Sequence, residues 1–92
     1  MNKQQLIERL AEAEGISRNA AKRVIDLMFQ HMTDTLSEGG RVEIRDFGSF
    51  SVKEYDGYTG RNPKTGQQVT VPPKKLPFFK VGKELKERVD ES

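Results

Sequence analysis

The stretch from Lys53 to Lys75 limits the fold more than any other part of the chain. At its middle lies Thr59-Gly60-Arg61-Asn62-Pro63-Lys64-Thr65-Gly66, with two glycines, one proline, two cations and no large apolar side chain. Proline presets φ and glycine tolerates φ > 0, so Asn-Pro followed by glycine is turn chemistry. The flanks, Lys53–Tyr58 and Gln67–Val71, read as extended chain. The segment is the tip of a hairpin whose limbs each have about ten residues, an arm of ~30 Å. Its large apolar side chains, Tyr55, Tyr58, Val69 and Val71, are too few to bury two faces. Such a ribbon projects from a core built elsewhere. On the tip alone an ordinary surface hairpin that uses a turn proline is the favoured reading, and the rest of the chain has to overturn it.

The rest of the chain has little to build that core with. The sequence has 92 residues, of which 34% are hydrophobic. Without the arm about seventy residues remain, marginal for a monomer that lacks a staple. No cysteine is present, which excludes disulfides and thiolate metal sites, and His31 alone cannot hold zinc. Neither a metal nor any other cofactor is expected. Oligomerisation is the expected source of stability. There is no apolar run long enough for a membrane helix and no signal-peptide core at the N-terminus, so a soluble, cytoplasmic protein without a membrane partner is expected. Net charge is +2 but unevenly spread: −1 over residues 1–40, +5 over 41–86 and −2 over 87–92. The basic part is the part with the arm, which suits a polyanionic partner.

In chain order, Asn2 caps a first helix with Gln5 as its capping-box partner. Leu6, Ile7, Leu10 and Ala11 form its apolar stripe, Gly15 ends it, and Ile16 can pack back. Ser17 caps a second helix that runs to about Ser37, roughly 30 Å long. Its apolar positions are Ala20, Ala21, Val24, Ile25, Leu27, Met28, Met32 and Leu36, widened by Phe29. That face is broader than one short helix covers, and a second copy of the chain would cover it. Leu10 to Lys22 also has the look of a helix-turn-helix, but its second helix is apolar along its whole length and reads as a core helix. His31, in the middle of that helix, reads as a packed or boundary histidine. Gly39-Gly40 ends it. Val42 and Ile44 alternate with polar residues in a strand, and Phe47–Val52 follows as the next strand after a tight connection at Asp46. The chain re-enters the body at Lys74–Lys80, where Pro77 suits an edge strand. Gly82 opens a short last helix with Leu85 and Val89 on one side and Lys83 and Lys86 at its start.

Phe47-Gly48-Ser49-Phe50, the segment Gly60-Arg61-Asn62-Pro63-Lys64-Thr65-Gly66, and Lys75-Leu76-Pro77-Phe78-Phe79-Lys80 with Gly82-Lys83-Glu84-Leu85 resemble the hallmark segments of the bacterial HU/IHF family of DNA-bending proteins. The resemblance covers essentially the whole chain. It implies an α+β fold: a helical base, a three-stranded antiparallel sheet extended into a long β-ribbon arm, and a short C-terminal helix, in an intertwined dimer. Residues 1–92 would then form one domain, with a helical dimerisation base at 1–40, a sheet at 41–82 carrying the arm at 53–75, and a C-terminal helix at 83–92. The dimer core would draw on Val24, Ile25, Met28, Phe29, Met32, Leu36, Phe47, Phe50 and Phe79. The implied partner is double-stranded DNA, bound in the minor groove and bent or compacted with little sequence preference in the bacterial nucleoid. Pro63 would wedge between base pairs, which is established behaviour for HU and IHF as a class. Arg61 would enter the negative potential of the groove and Asn62 would face base edges. Lys53, Lys64, Lys74, Lys75, Lys80, Lys83 and Lys86 would neutralise phosphates, with Lys3 and the amides that open the last helix in support. The limb before the tip departs from the arginine-rich family pattern, since it carries Glu54 and Asp56.

Other functions fit less well. No cysteine nucleophile, Walker phosphate loop, GxGxxG or HExxH is present, so neither an enzyme nor a small-molecule substrate is expected. A β-ribbon that pairs with another protein's sheet edge is a competing class, but a tip with Pro and Gly pairs poorly. Val42-Glu43-Ile44-Arg45-Asp46-Phe47 resembles the beta subunit of integration host factor. This leaves open a site-preferring heterodimer in place of an HU-like homodimer. In that reading Glu43 pairs with Arg45 and holds its guanidinium toward the groove.

Overall fold

The computed structural model describes residues 1–91. The chain divides into two compact units, Met1–Thr35 and the part beginning at Leu36. The division falls inside the second helix, ahead of the boundary expected at residue 40.

The first unit is a helical hairpin made by strongly local signals. Helix α1 spans Lys3–Glu14. The Asn2 side chain accepts from the Gln5 amide at 2.9 Å, and the Gln5 side chain accepts from the Asn2 amide at 3.1 Å. Both halves of the capping box are therefore formed. Gly15 closes the helix at φ 63°, a left-handed conformation that suits glycine. The amides of Gly15 and Ile16 both donate to the Ala11 carbonyl, at 3.1 Å for Ile16. The Ile16 side chain nevertheless stays 38% exposed. Helix α2 spans Arg18–Ser37, and the Ser17 hydroxyl accepts from the Ala20 amide at 3.1 Å. The hairpin's buried core is Ile7, Ala21 and Ile25, with Leu6, Leu10 and Ala11 packed around it. Val24, Leu27, Met28 and Phe29, on the same helix, remain about half exposed. His31, expected to be packed or at a boundary, is exposed as well.

The second unit is a sheet, a ribbon and a helix. Strands β1 (Val42–Ile44), β2 (Gly48–Tyr55) and β5 (Lys74–Val81) form an antiparallel sheet in the order β1-β2-β5. Strands β3 (Tyr58–Arg61) and β4 (Gln68–Val71) pair as a separate two-stranded ribbon. Pro77 lies in the edge strand β5, opposite Val52, where a missing donor is tolerated. Phe47 precedes β2 and does not start it: Asp46 takes φ 68° and the Phe47 amide returns to the Ile44 carbonyl at 3.0 Å. Gly48 is buried, and a Cβ there would lie 2.5 Å from the Phe79 ring. That close approach explains the glycine within Phe-Gly-Ser-Phe. Phe79 packs against Phe50 and Phe47, with ring centroids 4.8 and 5.6 Å apart. Helix α3 spans Lys83–Asp90, shorter than expected, and residue 92 lies outside the described residues. Its start is tied to the sheet unit: the Gly82 amide donates to the Phe47 carbonyl and the Leu85 amide to that of Asp46.

The arm is not one uninterrupted ladder. Its strand pairing stops between Tyr55 and Tyr58 on one limb and between Val71 and Lys74 on the other. Pro72 and Pro73 occupy the second gap and have no amide to donate. Gly57 faces them so closely that a Cβ would lie 2.7 Å from the Val71 carbonyl oxygen and 2.9 Å from Pro73 Cδ. Lys53, Glu54, Tyr55, Lys74 and Lys75 therefore belong to the three-stranded sheet, and the separate ribbon begins at Tyr58. Among the described residues no helix is long and apolar enough to cross a membrane.

Candidate nucleic-acid interface

Side chains alternate along a strand, and directly paired residues share a face. The register places Val42, Ile44, Phe50, Val52, Pro77, Phe79 and Val81 on one face of the sheet. The other face carries Ser49, Ser51, Lys53 and Tyr55 from β2 with Lys80, Phe78, Leu76 and Lys74 from β5, and Glu43 from β1. One face is thus largely apolar and the other holds three lysines and three hydroxyls. This sorting separates two adjacent lysines that the sequence reading grouped together. Lys74 lies on the cationic face. Lys75 lies on the apolar one, opposite Glu54, with its Nζ 3.5 Å from Glu54 Oε1. Glu54 therefore offsets part of the Lys75 charge and does not stand among the lysines of the other face. Ser49, Ser51, Tyr55, Leu76 and Phe78 were not among the expected site residues. Counting by twos from Ser49 would have found Ser49, Ser51 and Tyr55, whereas Leu76 and Phe78 join them only through the register of β5 with β2.

The register passes through the gap in the arm without a shift. Tyr55 is opposite Lys74 and, three residues on in each limb, Tyr58 is opposite Val71. By alternation Thr59, Arg61, Gln68 and Thr70 continue the lysine face. Tyr58, Gly60, Val69 and Val71 continue the apolar one and, with Arg61, Asn62 and Pro63 at the tip, line a shallow hollow. At the tip the Asn62 amide donates to the Gln67 carbonyl at 2.8 Å and the Gly66 amide to the Asn62 carbonyl at 2.7 Å. The Asn62 side-chain oxygen accepts from the Lys64 amide at 2.9 Å. This oxygen was expected at base edges but braces the turn, leaving the Asn62 side-chain NH2 as its outward donor. Gly66 takes φ 69° and completes the reversal. Pro63 sits at the outer bend between Asn62 and Lys64, where the turn fixes its position.

The remaining expected residues are spread over both units. Lys3 Nζ is 2.6 Å from Asp26 Oδ1, and Lys22 Nζ is 2.6 Å from Asp26 Oδ2. The hydrogen bond from Lys22, then that from Lys3, holds the Asp26 carboxyl below its ordinary value. Lys83 is 89% exposed and 4.0 Å from Glu87. Lys86 lines an apolar groove with Val81, Leu85 and Val89. The amides that open α3 are not all available for phosphate, because Leu85's is already committed to Asp46. The expected Glu43–Arg45 pair does not form. Glu43 Oε2 lies 3.8 Å from the Arg41 guanidinium, and Arg45 falls in the turn beyond β1. Of the expected dimer-core set, Ile25 is buried within its own helical hairpin at 3% exposure. Val24, Met28, Phe29, Phe47 and Phe79 stay at 38–54% exposure, and Met32, Leu36 and Phe50 are half-buried. Among the described residues no group of acidic, histidine or cysteine side chains is placed to hold a metal ion.

The sequence model of the family described as "Bacterial DNA-binding protein" matches residues 1–90. An integration host factor subunit beta from Saccharophagus degradans is 48% identical over 93 residues, covering 100% of this chain and 95% of that protein. A DNA-binding protein HU-beta from Salmonella typhimurium is 46% identical over 90 residues, covering 98% and 100% respectively. Among solved structures, an Anabaena HU–DNA cocrystal structure superposes with a TM-score of 0.86 at 32% identity, and both chains are covered completely.

Proposed function

The chain belongs to the bacterial DNA-binding protein family of HU and IHF, and from that premise we propose that it is an architectural protein that binds duplex DNA in the minor groove and bends it with little sequence preference. One observation carries the reading. Strand alternation gathers Lys53, Lys74 and Lys80 with Ser49 and Ser51 on one sheet face, and the same alternation leads to Arg61 beside the braced Pro63 turn. Lysines and hydroxyls on such a face meet phosphates, which position DNA without reading its sequence. At the tip, a rigid ring without a donor replaces a stacking contact. In HU and IHF as a class such wedges unstack a base step at a cost of a few kcal/mol, offset by the contacts the bend allows.

The protein acts as a dimer in this reading. The described chain buries only Ile7, Ala21 and Ile25 as its apolar core and leaves Val24, Leu27, Met28, Phe29, Phe47 and Phe79 at 38–55% exposure. A second copy is the simplest cover for so many large apolar side chains. The function is non-catalytic: binding free energy reshapes DNA and no covalent step is involved. Its place is the bacterial nucleoid, and residues 1–92 act as one functional domain of two compact units. The site-preferring alternative keeps the resemblance of residues 42–47 to the integration host factor beta subunit, although Glu43 stands 3.8 Å from Arg41 and does not pair with Arg45. The test is a titration of the purified chain with unrelated duplexes of ~35 base pairs, well below DNA's persistence length, labelled at both ends for energy transfer. Affinity should fall steeply with salt, and end-to-end distance should shorten to a similar extent on every sequence. Binding that is insensitive to salt would overturn the reading.

A further inference from the structure

Lys53 is held in an unusual way for a surface lysine. Its Nζ lies 3.6 Å from the centroid of the Phe78 ring, well within the range at which a ring face attracts a cation. The register explains how the two meet. Lys53 is opposite Leu76, so its diagonal neighbours on β5 are Phe78 on one side and Lys74 on the other. Lys74 repels the ammonium and Phe78 attracts it. Lys74 is directly opposite Tyr55 and its own Nζ lies 5.8 Å from that ring. The two cations are thus drawn apart along the sheet, each toward an aromatic of the same face.

The contrast with Lys75 gives this arrangement a meaning. Lys75, on the apolar face, has the Glu54 carboxylate 3.5 Å from its Nζ, which offsets part of its charge. Lys53 is fixed by a ring, which limits the motion of its long side chain but leaves its full positive charge and its outward N–H groups available. A lysine meant for a phosphate needs the second kind of restraint, because ordering a free lysine on binding opposes affinity.

We propose that Phe78 is a positioning residue for DNA binding, which holds Lys53 in place as a preorganised phosphate contact on the lysine face of the sheet. The proposal rests on the reading of that face as the DNA-binding one, and the test separates the two. Affinity for a duplex of unrelated sequence is measured at several salt concentrations for Lys53→Ala, Phe78→Leu, Phe78→Tyr and the double variant Lys53→Ala/Phe78→Leu. Lys53→Ala should weaken binding and flatten the salt slope by about one unit per engaged protomer. Phe78→Leu keeps apolar bulk but removes the ring. It should weaken binding about two- to fivefold per engaged protomer, the size of an exposed cation–ring contact, with the slope unchanged. Phe78→Tyr should restore wild-type affinity, and Phe78→Leu should have no further effect once Lys53 is alanine. If Lys53→Ala changes neither affinity nor slope, the lysine face is not the DNA surface. If Lys53→Ala weakens binding but Phe78→Leu does not, the positioning role alone is overturned. A Phe78→Leu loss that persists undiminished in the Lys53→Ala background also overturns it, since the ring would then act directly or through folding.

Discussion

The helical hairpin and the sheet-and-ribbon unit solve opposite problems. In the hairpin each turn of chain is closed locally: a complete capping box at Asn2, a left-handed glycine at Gly15, a serine cap at Ser17 and a small core of Ile7, Ala21 and Ile25. Among the described residues of the sheet unit only Gly48 is buried, and side chains are sorted by face, apolar against cationic. The first unit is organised to be held together and the second to present a surface. Damage to the hairpin should therefore appear as loss of folding, and damage to the sheet and ribbon as loss of grip or bend.

The largest expected effect tests that division at α2. Met28, 54% exposed in the single chain, becomes buried in the proposed dimer, so Met28→Glu places an unpaired carboxylate in the interface. Cooperative unfolding should disappear, as followed by circular dichroism, with the mass in solution falling to that of a monomer. A variant that stays folded and monomeric would break the comparison, because the hairpin would then need no partner. Next comes Pro63→Ala, which leaves the charges and the Asn62–Lys64 brace in place. Salt-dependent affinity should change by less than about threefold while the bend seen by energy transfer relaxes substantially. An unchanged bend would reduce Pro63 to a turn residue.

The third prediction sharpens the sorting by face. Lys80→Ala should flatten the salt slope of DNA binding by about one unit per engaged protomer. Lys75→Ala, which removes a charge already matched by Glu54 on the opposite face, should change it by much less. Equal slopes for the two variants would show that the faces are not distinct in solution. The smallest effect belongs to the hairpin. Asp26 is held below its ordinary pKa of 3.8 by Lys22 and then Lys3. A carboxyl depressed in the folded state stabilises it above the unfolded pKa, and that contribution fades as pH falls through the lower folded value. Wild-type melting temperature should therefore drop slightly more than that of Asp26→Asn from about pH 4 downward. The exposed partners keep the difference small, and a larger drop in the variant would contradict the pairing.

What the sequence showed in advance, and what it hid, follows the range of the interactions. Asn2 with Gln5, Gly15, Ser17 and the Asn62–Gly66 turn act over two to four residues, and their residue types announce them. The antiparallel order of the sheet followed from alternation and short connections. Alternation alone puts Lys74 and Lys75 on opposite faces, but which of them joins Lys53 is encoded only in the register with β2, which depends on where Phe79 packs over Gly48. Pro72-Pro73 lay in plain view as a pair without donors, yet the arm read as continuous because its limbs matched in length. Ile25 and Met28 share one broad apolar stripe in α2. Only the packing of α1 shows that Ile25 turns to Ile7 while Met28 stays open. The partner of Glu43 was a choice between Arg41 and Arg45, two residues to either side, and nothing local favours one over the other.

The unshifted register across the Pro72-Pro73 gap also limits how such an arm can change length in evolution. One residue inserted in a single limb forces a bulge. One residue added to both limbs keeps the pairing but exchanges the faces of everything beyond it, sending Arg61 to the side of Phe50 and Val52 and bringing Val69 and Val71 to that of Lys53 and Lys74. Two residues added to each limb extend the reach by roughly 7 Å and return every side chain to its own face. Arms of viable relatives should therefore differ in matched steps of two per limb, and the gap, already free of ladder bonds, is where those steps disturb the pairing least.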